Sequence, residues 1–276
     1  MIDKNSFIVT QHESLPGKGI TIELLEFDQL KGSSDLDVAN KIFLANQAHI
    51  KLKMIKITLD KGEVVLEPGA LYFMRGDLQL ESSCTNGGIA TGMMRKFMSG
   101  ETLFQTKISG TGDIYLEPTF GYYIIINIDD DALIFDKGSY WCSSTGIKVG
   151  AKAQKNISSA LFGGEGFFQS EAKGTGIVVL NSPVPESELM VFELANNEKL
   201  SIDGNFALCR TQDVTFKAEK SAKNLLSSIT SGEGLLQTFT GPGMVWIAPT
   251  QCVYERMSGL NATSNINQQS TNMNNK

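Results

Sequence analysis

Apolar residues alternate with polar ones in short runs along most of the chain, and glycine, asparagine and aspartate interrupt the runs at close intervals. Ile55-Lys56-Ile57-Thr58-Leu59 and Leu78-Gln79-Leu80-Glu81 have the period of two that lines one face of a strand with apolar side chains. Several runs lead to an acidic residue and a glycine, a turn signal, because glycine accepts positive φ at no steric cost. The pattern predicts an all-β chain of short antiparallel strands.

The runs also recur. Gly100-Glu101-Thr102-Leu103-Phe104-Gln105 precedes Gly110-Thr111-Gly112, and Gly164-Glu165-Gly166-Phe167-Phe168-Gln169 precedes Gly174-Thr175-Gly176. Gly232-Glu233-Gly234-Leu235-Leu236-Gln237 precedes Gly241-Pro242-Gly243. These blocks start 64 and 68 residues apart. Each Gly-x-Gly reads as a turn that feeds an apolar strand. A second landmark, the turn glycines Gly69, Gly138 and Gly204, recurs at 69 and 66 residues. Two landmarks of nearly one period predict three copies of one unit. A sheet this small is barely stable alone, so each copy must pack an apolar face on its neighbours.

The expected architecture is therefore all-β: three repeated small β-sandwich or double-stranded β-helix-like units, pseudo-threefold, with short helical turns. Residues 1–50 form an N-terminal extension packed on the repeats, with a short helix near Asp37–Gln47. The repeats run over 51–118, 119–184 and 185–257, and a polar tail over 258–276 has too little to bury and is expected to be disordered.

One helical turn is expected before each Gly-Glu. Met93 and Phe97, Ile157 and Leu161, and Leu225 and Ile229 stand four residues apart, which places each pair on one helix face. These six residues are candidate contacts for a partner or a membrane surface; the structural alternative is a helix that caps its own sandwich. The repeated polar positions are the other candidate site. Glu101 with Gln105, Glu165 with Gln169, and Glu233 with Gln237 have an even spacing that puts both groups on one face of a strand. Around a threefold axis they would ring a small ligand or a cation. The alternative is that each satisfies backbone groups at a neighbouring turn.

Composition narrows the chemistry. Lys+Arg number 24 against 30 Asp+Glu, a net charge of −6 that argues against a nucleic-acid partner. Only two histidines occur, His12 and His49, both outside the repeats, so a histidine-based catalytic set is not expected. Cys84, Cys142, Cys209 and Cys252 lie far apart, which predicts no metal cluster, and Cys142 and Cys209 sit in apolar runs as small buried hydrophobes. No catalytic residue, no metal and no cofactor is expected. The glycine pairs lack a following Gly-Lys-Ser/Thr and so are not phosphate loops. Asp129-Asp130-Asp131 reads as a solvated hairpin turn, and Lys51, Lys53, Lys56 and Lys61 as a mild basic run on an exposed face. The opening residues Met1–Asn5 carry no apolar core segment, which predicts a cytoplasmic protein with no secretory signal.

The Gly-Glu-x-φ-φ-Gln blocks (φ here meaning an apolar residue), Leu66-Glu67-Pro68-Gly69-Ala70 and the closing Phe239-Thr240-Gly241-Pro242-Gly243-Met244-Val245-Trp246-Ile247 resemble the mitochondrial biogenesis family named for altered inheritance of mitochondria. The resemblance covers about residues 50–255. It implies a fold grouped with the tryptophan RNA-binding attenuation protein, and for fungal members an association with the mitochondrial inner membrane and its organising complex. It carries over no catalytic or binding residue. Together these readings predict a non-enzymatic scaffold or interaction protein that docks an unidentified protein partner or a membrane surface, with oligomerisation left open. The runner-up is a small-ligand or cation binding module.

Overall fold

The computed structural model describes residues 7–82, 106–136, 138–153, 168–220 and 235–258. The chain is mostly β, as its alternating pattern predicts, with two α-helices among the described residues. It forms two compact units: one takes the chain up to 153 together with 168–182, the other 183–258.

The first unit contains β1 (Phe7–Leu15), β2 (Ile20–Phe27), α1 (Leu36–Gln47), β3 (Lys53–Leu66), β4 (Leu71–Ser82) and β5 (Thr106–Leu116). It continues with β6 (Tyr122–Phe135), β7 (Tyr140–Ser144), β8 (Ile147–Ala153) and β9 (Phe168–Ser182). All pairings are antiparallel. β5 lies between β3 and β4, β9 pairs with β6, β7 and β8, and β2 joins β1 to β3.

The core follows from the alternation. Ile20, Ile22 and Leu24 of β2 and Ile55, Ile57 and Leu59 of β3 all face inward. β3 then changes phase. Its register with β5 slips between Leu59 and Gly62, so Val64 and Leu66 point into the same core from even-numbered positions. A bulge of this kind inserts residues, bends the strand and re-aims the side chains that follow. Ile108, Ile114 and Leu116 of β5, Tyr123 of β6, Cys142 of β7, and Ile177 and Val179 of β9, with Ala70, complete the cluster. Each fully buried aliphatic side chain contributes about 1.5–3 kcal/mol relative to exposure.

The second unit contains β10 (Met190–Leu194), β11 (Lys199–Asp203), β12 (Ala207–Thr211), β13 (Thr215–Lys220), β14 (Leu235–Thr240), β15 (Gly243–Ile247) and α2 (Gln251–Met257). β14 lies between β11 and β13, and β15 between β10 and β12. Phe216 and Phe239 sit on the paired strands β13 and β14 with ring centroids 5.1 Å apart.

One backbone device appears three times. Lys61, Asp130 and Asn197 have positive φ and stand 69 and 67 residues apart. The Lys61 N–H donates to Thr111 Oγ1 at 3.1 Å, and the Asp130 N–H to Thr175 Oγ1 at 3.0 Å. Pro242 stands where a third threonine would be, and the Asn197 N–H donates to the Gly241 carbonyl at 3.4 Å instead. The threonine of Gly-Thr-Gly therefore satisfies an amide freed by the strained residue opposite.

Three local expectations are corrected here. Gly110 and Gly112 lie inside β5, and Gly174 and Gly176 inside β9, so these pairs are kinks within continuous strands, not turns between strands. Asp129-Asp130-Asp131 is likewise inside β6, at the register shift between Ile128 and Asp131, and is not a hairpin turn. Lys53 is buried, not part of an exposed basic face. Its ammonium lies 4.3 Å from the Tyr122 ring centroid and donates to the Lys51 carbonyl at 3.1 Å. Both contacts compensate lost hydration, while burial holds its pKa below the usual lysine range.

Candidate functional site

Of the six repeated polar positions, Gln169 and Gln237 belong to the described residues. The β6–β9 ladder pairs Phe135 with Ser170, which brings the next residues, Asp136 and Gln169, together at its end. Gln169 Nε2 donates to Asp136 Oδ1 at 3.2 Å. In the second unit, Gln237 on β14 donates from Nε2 to Asn205 Oδ1 at 3.1 Å, and its side chain is buried. Both acceptors flank a glycine of positive φ, Gly138 or Gly204. Each amide therefore ties the start of its own strand, β9 or β14, to a turn between two others, β6 and β7 or β11 and β12. Burial raises the Asp136 pKa, and the Gln169 hydrogen bond only partly opposes it. Glu67, which precedes Gly69 as Asp136 precedes Gly138, is also raised by burial. Glu101, Gln105, Glu165 and Glu233 lie outside the described residues, as do all six apolar candidates, Met93, Phe97, Ile157, Leu161, Leu225 and Ile229. The expected polar tail lies outside them from residue 259 onward.

The described surface presents a different apolar feature. α1 begins where the Asp35 carboxylate accepts the Val38 N–H at 2.9 Å, an N-cap that satisfies one of the four free donors of the first turn. Its inner face, Ala39, Ile42, Ala45 and Asn46, is half-buried, and Asn46 Nδ2 donates to the Leu30 carbonyl at 3.2 Å. Its outer face is uncovered. Leu36 is 86% exposed, and Phe43 and Leu44 are each 57% exposed. At 100° per residue these three fall on one arc with Asn40 and Gln47, so the outward stripe carries no charge. Asp37 and Lys41 sit at its flank. The sequence predicts a helix here, but none of these residues is among the candidate sites drawn from it. The signal was available: Leu36, Val38, Ile42, Phe43 and Leu44 are too many apolar side chains for one buried face.

β4 is the second exposed element. Tyr72, Phe73, Met74 and Leu80 are all exposed, although their β5 neighbours Ile114 and Ile108 are fully buried. Phe73 stacks on Tyr115 with centroids 4.4 Å apart and planes 17° from parallel. Among the described residues, no cluster of three or more His, Cys, Asp and Glu side chains has metal-binding geometry, and no helix is long and apolar enough to cross a membrane.

Three comparisons place the chain among known proteins. It is 24% identical over 229 residues to an uncharacterized protein of Streptococcus pyogenes serotype M6, M6_Spy0233, covering 76% of this chain and 86% of that one. Its fold is similar to the crystal structure of protein SPYM3_0169 from Streptococcus pyogenes, with a TM-score of 0.57 and 20% identity over 78% of this chain and 94% of the other. The sequence model of the family described as mitochondrial biogenesis AIM24 matches residues 14–250, most of the length of both units. The chain belongs to the mitochondrial biogenesis AIM24 family.

Proposed function

We propose that this protein is a non-enzymatic interaction protein of the cytoplasm that presents α1 to an apolar groove on a protein partner. The observation that carries the reading is the uncharged stripe Leu36, Phe43 and Leu44 on a helix whose other face is already seated. A stripe at i, i+7 and i+8 is the anchor pattern of helix-in-groove recognition. Burying such side chains in a partner is worth about 1.5–3 kcal/mol each. A lipid surface fits less well. Interfacial helices on anionic membranes carry lysine and arginine along their polar face, whereas α1 has Lys41 alone, beside Asp37, in a chain of net charge −6.

The β body is then a scaffold that holds the helix. Its three-copy construction is part of this proposal: the positive-φ residues Lys61, Asp130 and Asn197, with central strands β5, β9 and the β14–β15 pair opposite them, support duplication of one unit.

The test compares the wild type with Leu36→Asp/Phe43→Asp in affinity capture from cell extract and in vesicle flotation. Both changes are on exposed positions, so far-UV circular dichroism and melting are expected to be unchanged. The expected result is one protein captured by the wild type and lost from the variant by roughly tenfold or more, with no flotation. Flotation lost in the variant would replace the protein partner by a membrane, and equal capture by both proteins would overturn the reading.

A further inference from the structure

β4 carries a second uncovered surface, independent of α1. Among the described residues it pairs with β5 alone, which leaves one edge of backbone donors and acceptors open along Leu71–Ser82. An edge of that length is a template for another strand. Its two faces differ. Met74, Leu78 and Leu80 share a face with the buried Ile114 and Ile108, whereas Phe73, Arg75, Asp77, Gln79 and Glu81 alternate on the other. Between them stands Gly76, with φ of +125° and no room for a side chain: a Cβ there would lie 2.6 Å from the Gly112 Cα. A strand pairing with this edge must follow a kink at that point, which calls for a glycine opposite Gly76.

We propose that this edge pairs with the same edge of a second copy of the chain, antiparallel, about a twofold axis through Gly76. That register sets Gly76 against Gly76, Arg75 against Asp77 of the second copy, Asp77 against its Arg75, and Met74 against its Leu78. Opposite charges face each other twice and apolar side chains face each other on the core side, the favourable arrangement for directly opposed residues. Moving the axis one residue toward the C-terminus puts Asp77 on Asp77, and one toward the N-terminus puts Arg75 on Arg75. An axis at Leu78 would let Arg75 meet Glu81 but sets the kinked Gly76 against Leu80. The sequence of β4 is self-complementary in one register, as an isologous contact requires.

Sedimentation equilibrium of the full chain tests this with a charge reversal and its rescue. The wild type is expected to sediment at twice the 30.0 kDa of one chain at about 100 µM. Arg75→Asp places Asp opposite Asp77 at both pairs and is expected to weaken the dimer by roughly tenfold or more. Arg75→Asp/Asp77→Arg restores opposite charges and is expected to return the wild-type mass. Both side chains are exposed, and matched circular dichroism spectra establish that the fold is retained. A monomeric wild type, an Arg75→Asp protein that dimerises as well as the wild type, or a double variant that fails to recover overturns the proposal.

Discussion

Asp136 and Gln169 show how much of this protein's polar chemistry serves its own turns. A carboxylate raised by burial is disfavoured in the folded state when ionised. Its folded pKa lies above the unfolded one, so the folded state binds more protons between the two values and stability falls as pH rises through that window. Asp136→Asn keeps the Oδ1 acceptor for Gln169 and removes the charge, as Asn205 does opposite Gln237. We expect the variant to melt higher than the wild type at pH 7, with the difference shrinking as pH falls through the carboxylate range. Thermal melts across that range check this, and a constant difference would contradict it. Gly174 is the second residue-scale test. Its φ is +134°, and a Cβ would lie 2.1 Å from the Gly146 carbonyl oxygen, whereas a Cβ on Gly150 meets nothing within 4 Å. Gly174→Ala is expected to cost about 2 kcal/mol or more in urea denaturation, and Gly150→Ala to stay within about 0.5 kcal/mol.

At the scale of elements, the strands were legible because a period of two survives in a chain whose sheet faces differ. Ile20, Ile22 and Leu24 and Ile55, Ile57 and Leu59 alternate and are buried as they alternate. The short helix expected near Asp37–Gln47 is present as α1, Leu36–Gln47, and the structure adds its Asp35 N-cap. The Gly-Thr-Gly pairs were misread because the local signal of a kink is the same as that of a turn. Only the partner strand, with Lys61 or Asp130 at positive φ, decides that the ladder continues through. The repeated glutamines were recognised as a pair of alternatives, and the described members, Gln169 and Gln237, bond to turn residues 33 and 32 positions away. That long-range partner is set by register, which no local pattern records. The exposed stripe of α1 was missed for a related reason: periodicity finds an apolar face but not what covers it.

At the scale of the molecule, each unit has a buried core, and the first presents an outward helix stripe on α1 and a strand, β4, that among the described residues is paired along one edge only. Their requirements differ. The helix asks for a groove on another protein, and the edge asks for a strand with a glycine at one position. Membership of the AIM24 family fixes the fold's lineage, while the functional reading rests on α1. The most direct measurement is photo-crosslinking in living cells from a reactive side chain at position 43, with position 148 on β8 as the control. One recurrent protein adduct is expected from position 43 and none of it from position 148. Adducts to lipid alone, or the same adducts from both positions, would contradict the proposed function.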